Sequence, residues 1–166
     1  MVSAPTPLAV EHDIGEFDSG VASLDDWLRR RAMQNQSSGA SRTFIACDHN
    51  RVVAYYALAA SAVAPDATPG RFRRNMPDPI PVVVLARLAV AMSYQGQGLG
   101  RFLFQDAAQR VISASEAVGI RGMLVHALSV EAKAFYLRLG LVASALEPMT
   151  LMVTVAELKA ALSCAT

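Results

Sequence analysis

Apolar residues along this chain fall into two patterns: close runs that predict strands, and positions three or four apart that predict helices. The segment "PLAVEH" (7–12) reads as a first strand, with "DSG" (18–20) as a turn after it. Ser23, with Asp26 three residues on, reads as a helix start. Leu24, Trp27, Leu28 and Arg31 then keep helical spacing, and the helix ends near "NQSSGAS". "RTFIACD" and "RVVAYYALAASAV" flank His49-Asn50 and predict two antiparallel strands joined by a hairpin turn.

The stretch Ala64 to Pro81, "APDATPGRFRRNMPDPIP", is a Pro-rich excursion with three arginines at its centre, and loops of that length are usually functional or mobile. After it come a strand from Val82 to Val90, a glycine-rich loop, a helix to about Val118, a turn at Gly119 and a strand from Gly122 to Leu128. "SVEAKAFYLRLG" predicts a short helix closed by Gly140, and "MTLMVTV" a last strand before a C-terminal helix from about Ala156. No repeat or low-complexity tract interrupts this order. At 166 residues, the chain is expected to form one α/β domain, residues 1–166, able to bury roughly two-thirds of its unfolded surface.

The loop "YQGQGLGR", Tyr94 to Arg101, has glycines at three alternate positions where a strand feeds a helix. Bare backbone at a helix start presents free N–H groups and the positive end of the helix dipole, a site for phosphate or pyrophosphate. The dinucleotide fingerprint needs its third glycine three places after the second, and here the spacing is two. A P-loop ends Gly-Lys-Ser/Thr, and this one ends Gly100-Arg101. The pattern Gln/Arg-x-x-Gly-x-Gly/Ala is met in full by Gln95 to Gly100.

Composition narrows the setting. The chain is 53% hydrophobic and 17% charged, yet no stretch approaches the roughly 20 apolar residues that span a bilayer, so a soluble, cytoplasmic protein with no membrane partner is expected. "MVSAPTPLAVEHD" has neither the basic start nor the apolar region of a secretory signal. Cys47 and Cys164 make no zinc pattern, and no metal is expected. The net charge of +1 conceals an uneven spread. Six acids and no Lys or Arg occupy residues 1–26, whereas residues 27–74 hold eight arginines against Asp48 and Asp66. That basic zone is either a solvated face or a grip for a phosphate-rich partner, for which arginine's planar fork is suited.

The Gln-x-x-Gly-x-Gly loop resembles motif A of the GCN5-related N-acetyltransferases (GNAT), and similarity of this general kind covers nearly the whole chain. The resemblance implies a GNAT fold, a single mixed central sheet flanked by helices, with acetyl-CoA as co-substrate. It implies that Leu88, Ala89 and Val90, then Gln95, Gly96, Gly98, Leu99, Gly100 and Arg101, and finally Ser129 contact that cofactor. "PDPIPVVVLARLAV", "GIRGMLVHALS", "AFYLRLG" and "MTLMVTVAEL" resemble more closely the acetyltransferase toxins of bacterial toxin–antitoxin modules. Those enzymes acetylate the α-amino group of aminoacyl-tRNA and so stop translation. They imply a homodimer, a ribbon-helix-helix antitoxin, and tRNA binding through basic patches, here Arg71, Arg73, Arg74 and Arg87. Ala86 and Ala91 depart from the pattern, where glycine and an acid are common.

Acetyl transfer needs a neutral amine and a proton for the departing thiolate. A phenol, with pKa near 10, stays protonated at neutral pH, and the resemblance gives Tyr136 the role of proton donor. The strand Val82–Val90 contains no acid to act as base. A lysine amine is only about one part in a thousand neutral at pH 7.4, whereas an α-amine near 7.7 is roughly a third neutral and does without one. The absence favours aminoacyl-tRNA or a protein N-terminus over a lysine side chain. A small amine or protein N-terminus as substrate, and an inactive acetyl-CoA-binding module, remain alternatives. His126 reads as a core residue, Trp27 and Met33 as core or dimer contacts, and Arg87 as either an internal strut or a contact to substrate phosphate.

Overall fold

The computed structural model describes residues 1–164, with the Cys164 side chain outside the described part. The strands are β1 (Thr6–Pro7), β2 (Arg42–Asp48), β3 (Arg51–Val63), β4 (Ile80–Val90), β5 (Gly122–His126), β6 (Val142–Ala143) and β7 (Thr150–Thr154). The helices are α1 (Ala22–Arg30), α2 (Ala32–Ser38), α3 (Gly70–Arg73), α4 (Leu99–Ser115), α5 (Val130–Arg138) and α6 (Val155–Cys164). The strands form one mixed sheet in the order β1-β2-β3-β4-β5-β7-β6, as expected of the α/β class. β4 and β5 pair in parallel from Val82↔Gly122 to Leu85↔Val125, and β5 pairs antiparallel with β7. Among the described residues no helix is long and apolar enough to cross a membrane.

The chain divides into two compact units, Met1–Ala59 with Ala86–Ala107, and Ala60–Leu85 with the chain from Ala108 onward; the boundaries fall inside β3, β4 and α4. In the first, Leu24 and Leu28 stand one turn apart on α1 and pack with Ile45, Val52 and Tyr55. Burying each such aliphatic side chain is worth about 1.5–3 kcal/mol. Trp27 stacks on Tyr55 with ring centres 6.0 Å apart, and the Tyr55 hydroxyl donates to the Leu24 carbonyl at 2.6 Å. Trp27 and Met33 pack against this core.

The second unit gathers Phe72, Ile80, Val82, Leu124 and Met152. Gly122 permits that packing, because a Cβ there would stand 2.1 Å from the Val153 carbonyl oxygen and 3.0 Å from the Phe72 ring. The proline-rich excursion is more ordered than its composition suggests. It holds a 3-10 turn at Pro65–Ala67 and the short α3, anchored by Phe72, which is buried.

Three local expectations fail for identifiable reasons. The predicted first strand stops at Pro7, because the Ala9 amide donates to His12 Nδ1 and the His12 amide to the Ala9 carbonyl, folding the chain into a turn. Ser23 does not cap α1; the buried carboxylate of Asp25 instead accepts from the Ser19 amide and hydroxyl, fixing the preceding turn. The first helix is broken at Arg31, where the backbone leaves helical angles and Ala32 enters the core. The hairpin at His49-Asn50 forms as expected, and β6 is an additional two-residue strand.

Candidate active site

In the first unit, β4 leads through Leu88, Ala89 and Val90 into a 3-10 turn, Met92–Tyr94, and then the glycine loop. Gly96 and Gly98 adopt φ of +79° and +83°, the left-handed region that any residue with a Cβ enters at a cost. α4 follows at Leu99. Its first bond ahead of the regular ladder is the Phe102 amide donating to the Gly98 carbonyl at 3.1 Å, so the amides before it are those of an open helix start. Nothing lies within 4 Å of where a Cβ would stand on Gly96 or Gly98. The surface over the loop is therefore open, and together with the dipole of a 17-residue helix it suits a pyrophosphate. Arg101 is exposed in the first turn of α4.

The loop is pinned from behind. The Gln95 side-chain nitrogen donates to the Val90 carbonyl at 2.9 Å and the Ser19 carbonyl at 3.0 Å. That nitrogen is thus committed to holding the loop. The Met92 amide donates to the Asp18 carbonyl at 2.8 Å. The Tyr94 hydroxyl donates to Asp48, and this bond, with the N-terminal ammonium and His49, lowers the Asp48 pKa below the usual carboxylate value.

Arg87 is half-buried in the first unit, with its guanidinium 5.1 Å from the centre of the Trp27 ring and one nitrogen donating to the Ala86 carbonyl at 2.9 Å. The contact with Trp27 is a cation on an aromatic face.

The second unit carries the other expected site residues. Ser129 is the N-cap of α5, its hydroxyl accepting from the Ala132 amide at 3.0 Å. Tyr136 lies on α5, 6% exposed, with the Phe135 ring edge-on at 5.1 Å. Burial pushes its phenol well above the ordinary value, so it holds its proton throughout the neutral range. The three arginines of the excursion are not equivalent. Arg71 pairs with Glu157 at 3.0 Å, Arg73 donates to the Thr68 carbonyl, and Arg74 stands exposed at the end of α3.

Two side chains acquire importance only in three dimensions. Arg121 donates to the Phe72 carbonyl at 2.7 Å and the Arg71 carbonyl at 2.6 Å, clamping the arginine-bearing segment; nothing in its sequence surroundings signals that role. His126, expected in the core, is instead exposed at the end of β5, where side chains leave the sheet's cover, and its Nδ1 lies 2.9 Å from Thr150 Oγ1. Among the described residues no group of three or more His, Cys, Asp or Glu side chains is placed to hold a metal. Cys47 is a free, buried thiol whose pKa burial raises.

Known proteins resemble the chain over nearly its whole length. The family described as acetyltransferase (GNAT) domain matches residues 39–141. A protein of Mycobacterium tuberculosis (strain ATCC 25618 / H37Rv) described as a tRNA-acetylating toxin is 47% identical over 158 residues, 95% of each chain. The solved structure of AtaT complexed with acetyl-methionyl-tRNAfMet matches with a TM-score of 0.89 at 29% identity, covering 98% of this chain and 99% of that one. A tyrosine-to-phenylalanine variant of the AtaT toxin, bound to the C-terminus of the antitoxin AtaR and acetyl-CoA, matches with a TM-score of 0.84 at 28% identity over 98% and 99% of the two chains.

Proposed function

The chain belongs to the GNAT acetyltransferase family, and from that premise we propose that it transfers acetyl from acetyl-CoA to the α-amine of aminoacyl-tRNA, so arresting translation. The observation that carries the substrate is the 47% identity, over 95% of both chains, to a tRNA-acetylating toxin. One domain, residues 1–166, does this work in the cytoplasm, where charged tRNA is found.

The residues fit the roles. The outward amides from Gly96 to Arg101 receive the pyrophosphate of acetyl-CoA, held in register by the Gln95 bonds, with Leu88, Ala89 and Val90 beside the acyl arm and Ser129 capping the helix that bears Tyr136. Acetyl-CoA supplies an activated thioester, and Tyr136 supplies the proton that the departing sulfur needs. A phenol that is protonated at neutral pH carries the proton this step needs. Arg73 and Arg74 meet tRNA phosphates with Arg71 beside them, and Arg87, stacked on Trp27, is either a strut or a further phosphate contact.

The partners follow the same line. The AtaT toxin is seen with the C-terminus of its antitoxin, and we assign this chain an antitoxin of ribbon-helix-helix type. We assign it a homodimeric state as well. A bacterial translation extract supplied with acetyl-CoA tests the function. Added protein should stop synthesis, and fresh charged tRNA should restore it in proportion to the amount added. Arrest without acetyl-CoA, or arrest that charged tRNA does not relieve, contradicts the proposal.

A further inference from the structure

Resting on that reading, we propose that Glu157 competes with tRNA phosphate for Arg71, and so sets how tightly the arginine segment grips and how readily it lets go. The two oxygens of this carboxylate have separate partners, all within the second unit. Oε1 accepts from the Thr154 amide at 3.0 Å and the Thr154 hydroxyl at 2.9 Å, while the Glu157 amide donates back to Thr154 Oγ1 at 3.0 Å. This reciprocal pair closes the start of α6, whose first amides have no acceptor within the helix. Oε2 is left for Arg71 and stands 3.0 Å from its guanidinium.

Both residues are fastened at the backbone by Arg121. Its side chain holds the carbonyls of Arg71 and Phe72, at 2.6 Å and 2.7 Å, and its own carbonyl accepts from the amide of Val155, the first residue of α6, at 3.0 Å. Phe72 is buried beneath the segment. What is left to move is the Arg71 side chain, 63% exposed and able to exchange Glu157 for another anion by rotation alone. Of the three arginines of the segment, Arg71 is the one paired with a carboxylate among the described residues.

An attenuated grip suits a catalyst. Acetylation changes one amine and leaves every tRNA phosphate as it was, so phosphate contacts hold substrate and product equally and slow release as much as they favour binding. An exposed ion pair offsets only part of such a contact. Glu157 therefore weakens the grip several-fold without abolishing it.

Glu157→Gln separates its two tasks. The carboxamide oxygen still accepts from Thr154, as glutamine does in a capping box, while the nitrogen, a donor, faces the donors of Arg71 and frees them. Affinity for uncharged tRNA at low salt should rise about two- to fivefold, and the slope of log K against log salt should steepen by about one. KM for charged tRNA should fall, and inhibition by the acetylated product tighten, by the same factor, with acetylation of a small amino-acid ester unchanged. Adding Arg71→Gln should cancel these gains, so that the double variant binds tRNA as Arg71→Gln alone does. Unchanged or weaker tRNA binding by Glu157→Gln, or a gain that survives Arg71→Gln, overturns the inference alone. A wild-type protein that binds no tRNA overturns the functional reading and this inference with it.

Discussion

The side-chain amide of Gln95 donates to the carbonyl of Ser19 at 3.0 Å, tying the start of the Gln-x-x-Gly-x-Gly pattern to the turn before α1. The same nitrogen reaches Val90 at the end of β4. In Gln95→Glu a carboxylate would face two carbonyl oxygens and lose both bonds. The expected result is a stability loss of about 1 kcal/mol, seen in a denaturant midpoint, with a KM for acetyl-CoA raised roughly fivefold. An unchanged KM would separate the staple from cofactor binding.

Gly98→Ala addresses the loop itself. The added Cβ meets no protein atom, and its cost is the left-handed backbone, about 1–2 kcal/mol, which a fold of ordinary stability survives. If the loop receives the pyrophosphate as proposed, the methyl would stand in its way. Calorimetry should find acetyl-CoA affinity reduced at least about tenfold, with the circular dichroism spectrum unaltered. Equal affinity removes the loop from the binding site.

Asp48 and Tyr94 predict a pH effect. The folded-state pKa of Asp48 is depressed, chiefly by the Tyr94 hydroxyl, so its contribution is present above the unfolded value of about 3.9 and is lost as pH falls through the lower folded value. Tyr94→Phe should therefore lose less stability than the wild type when pH is lowered from about 5 to 3. Parallel stability curves for the two proteins would contradict this.

The proposed role of the arginine segment in choosing the substrate makes a prediction. Replacing Arg71, Arg73 and Arg74 with glutamine should weaken charged-tRNA binding and reduce the slope of log K against log salt by about one for each arginine that grips a phosphate. The exposed Arg71–Glu157 pair contributes only about 0–1 kcal/mol and the Arg73 bond to the Thr68 carbonyl about 1 kcal/mol, so the fold should persist. Acetylation of a small amino-acid ester should hardly change. Equal loss on both substrates would mean that these side chains support the fold or the cofactor.

How much of this is legible in the sequence depends on how local the determining contact is. The β2–β3 hairpin, β4, the glycine loop and α5 follow from patterns within a few residues, and the structure has them where the patterns put them. The failures are contacts made by side chains to backbone. His12 folds back on Ala9 and ends a strand that hydrophobicity alone would continue. Asp25 displaces Ser23 as the organiser of the turn before α1. At the site, the bareness of Gly96 and Gly98 is written in the sequence, but the bonds that hold them come from Gln95 to Ser19, seventy-six residues away. His126 looks like core because its strand is apolar, and only the strand's end at that residue exposes it. The Arg121 clamp joins residues 49 and 50 positions apart and leaves no periodic trace.

Transfer of acetyl to the α-amine, with Tyr136 as the proton donor, is tested most directly by mass spectrometry of the aminoacyl-adenosine released by nuclease from charged tRNA after incubation with acetyl-CoA. Wild-type protein should add one acetyl group, located on the α-nitrogen by fragmentation. Tyr136→Phe, which deletes a hydroxyl and little packing, should bind acetyl-CoA normally while forming product about 10²- to 10⁴-fold more slowly. Aminoacyl-adenosine of unchanged mass with the wild type, or a Tyr136→Phe variant as fast as the wild type, would contradict this mechanism.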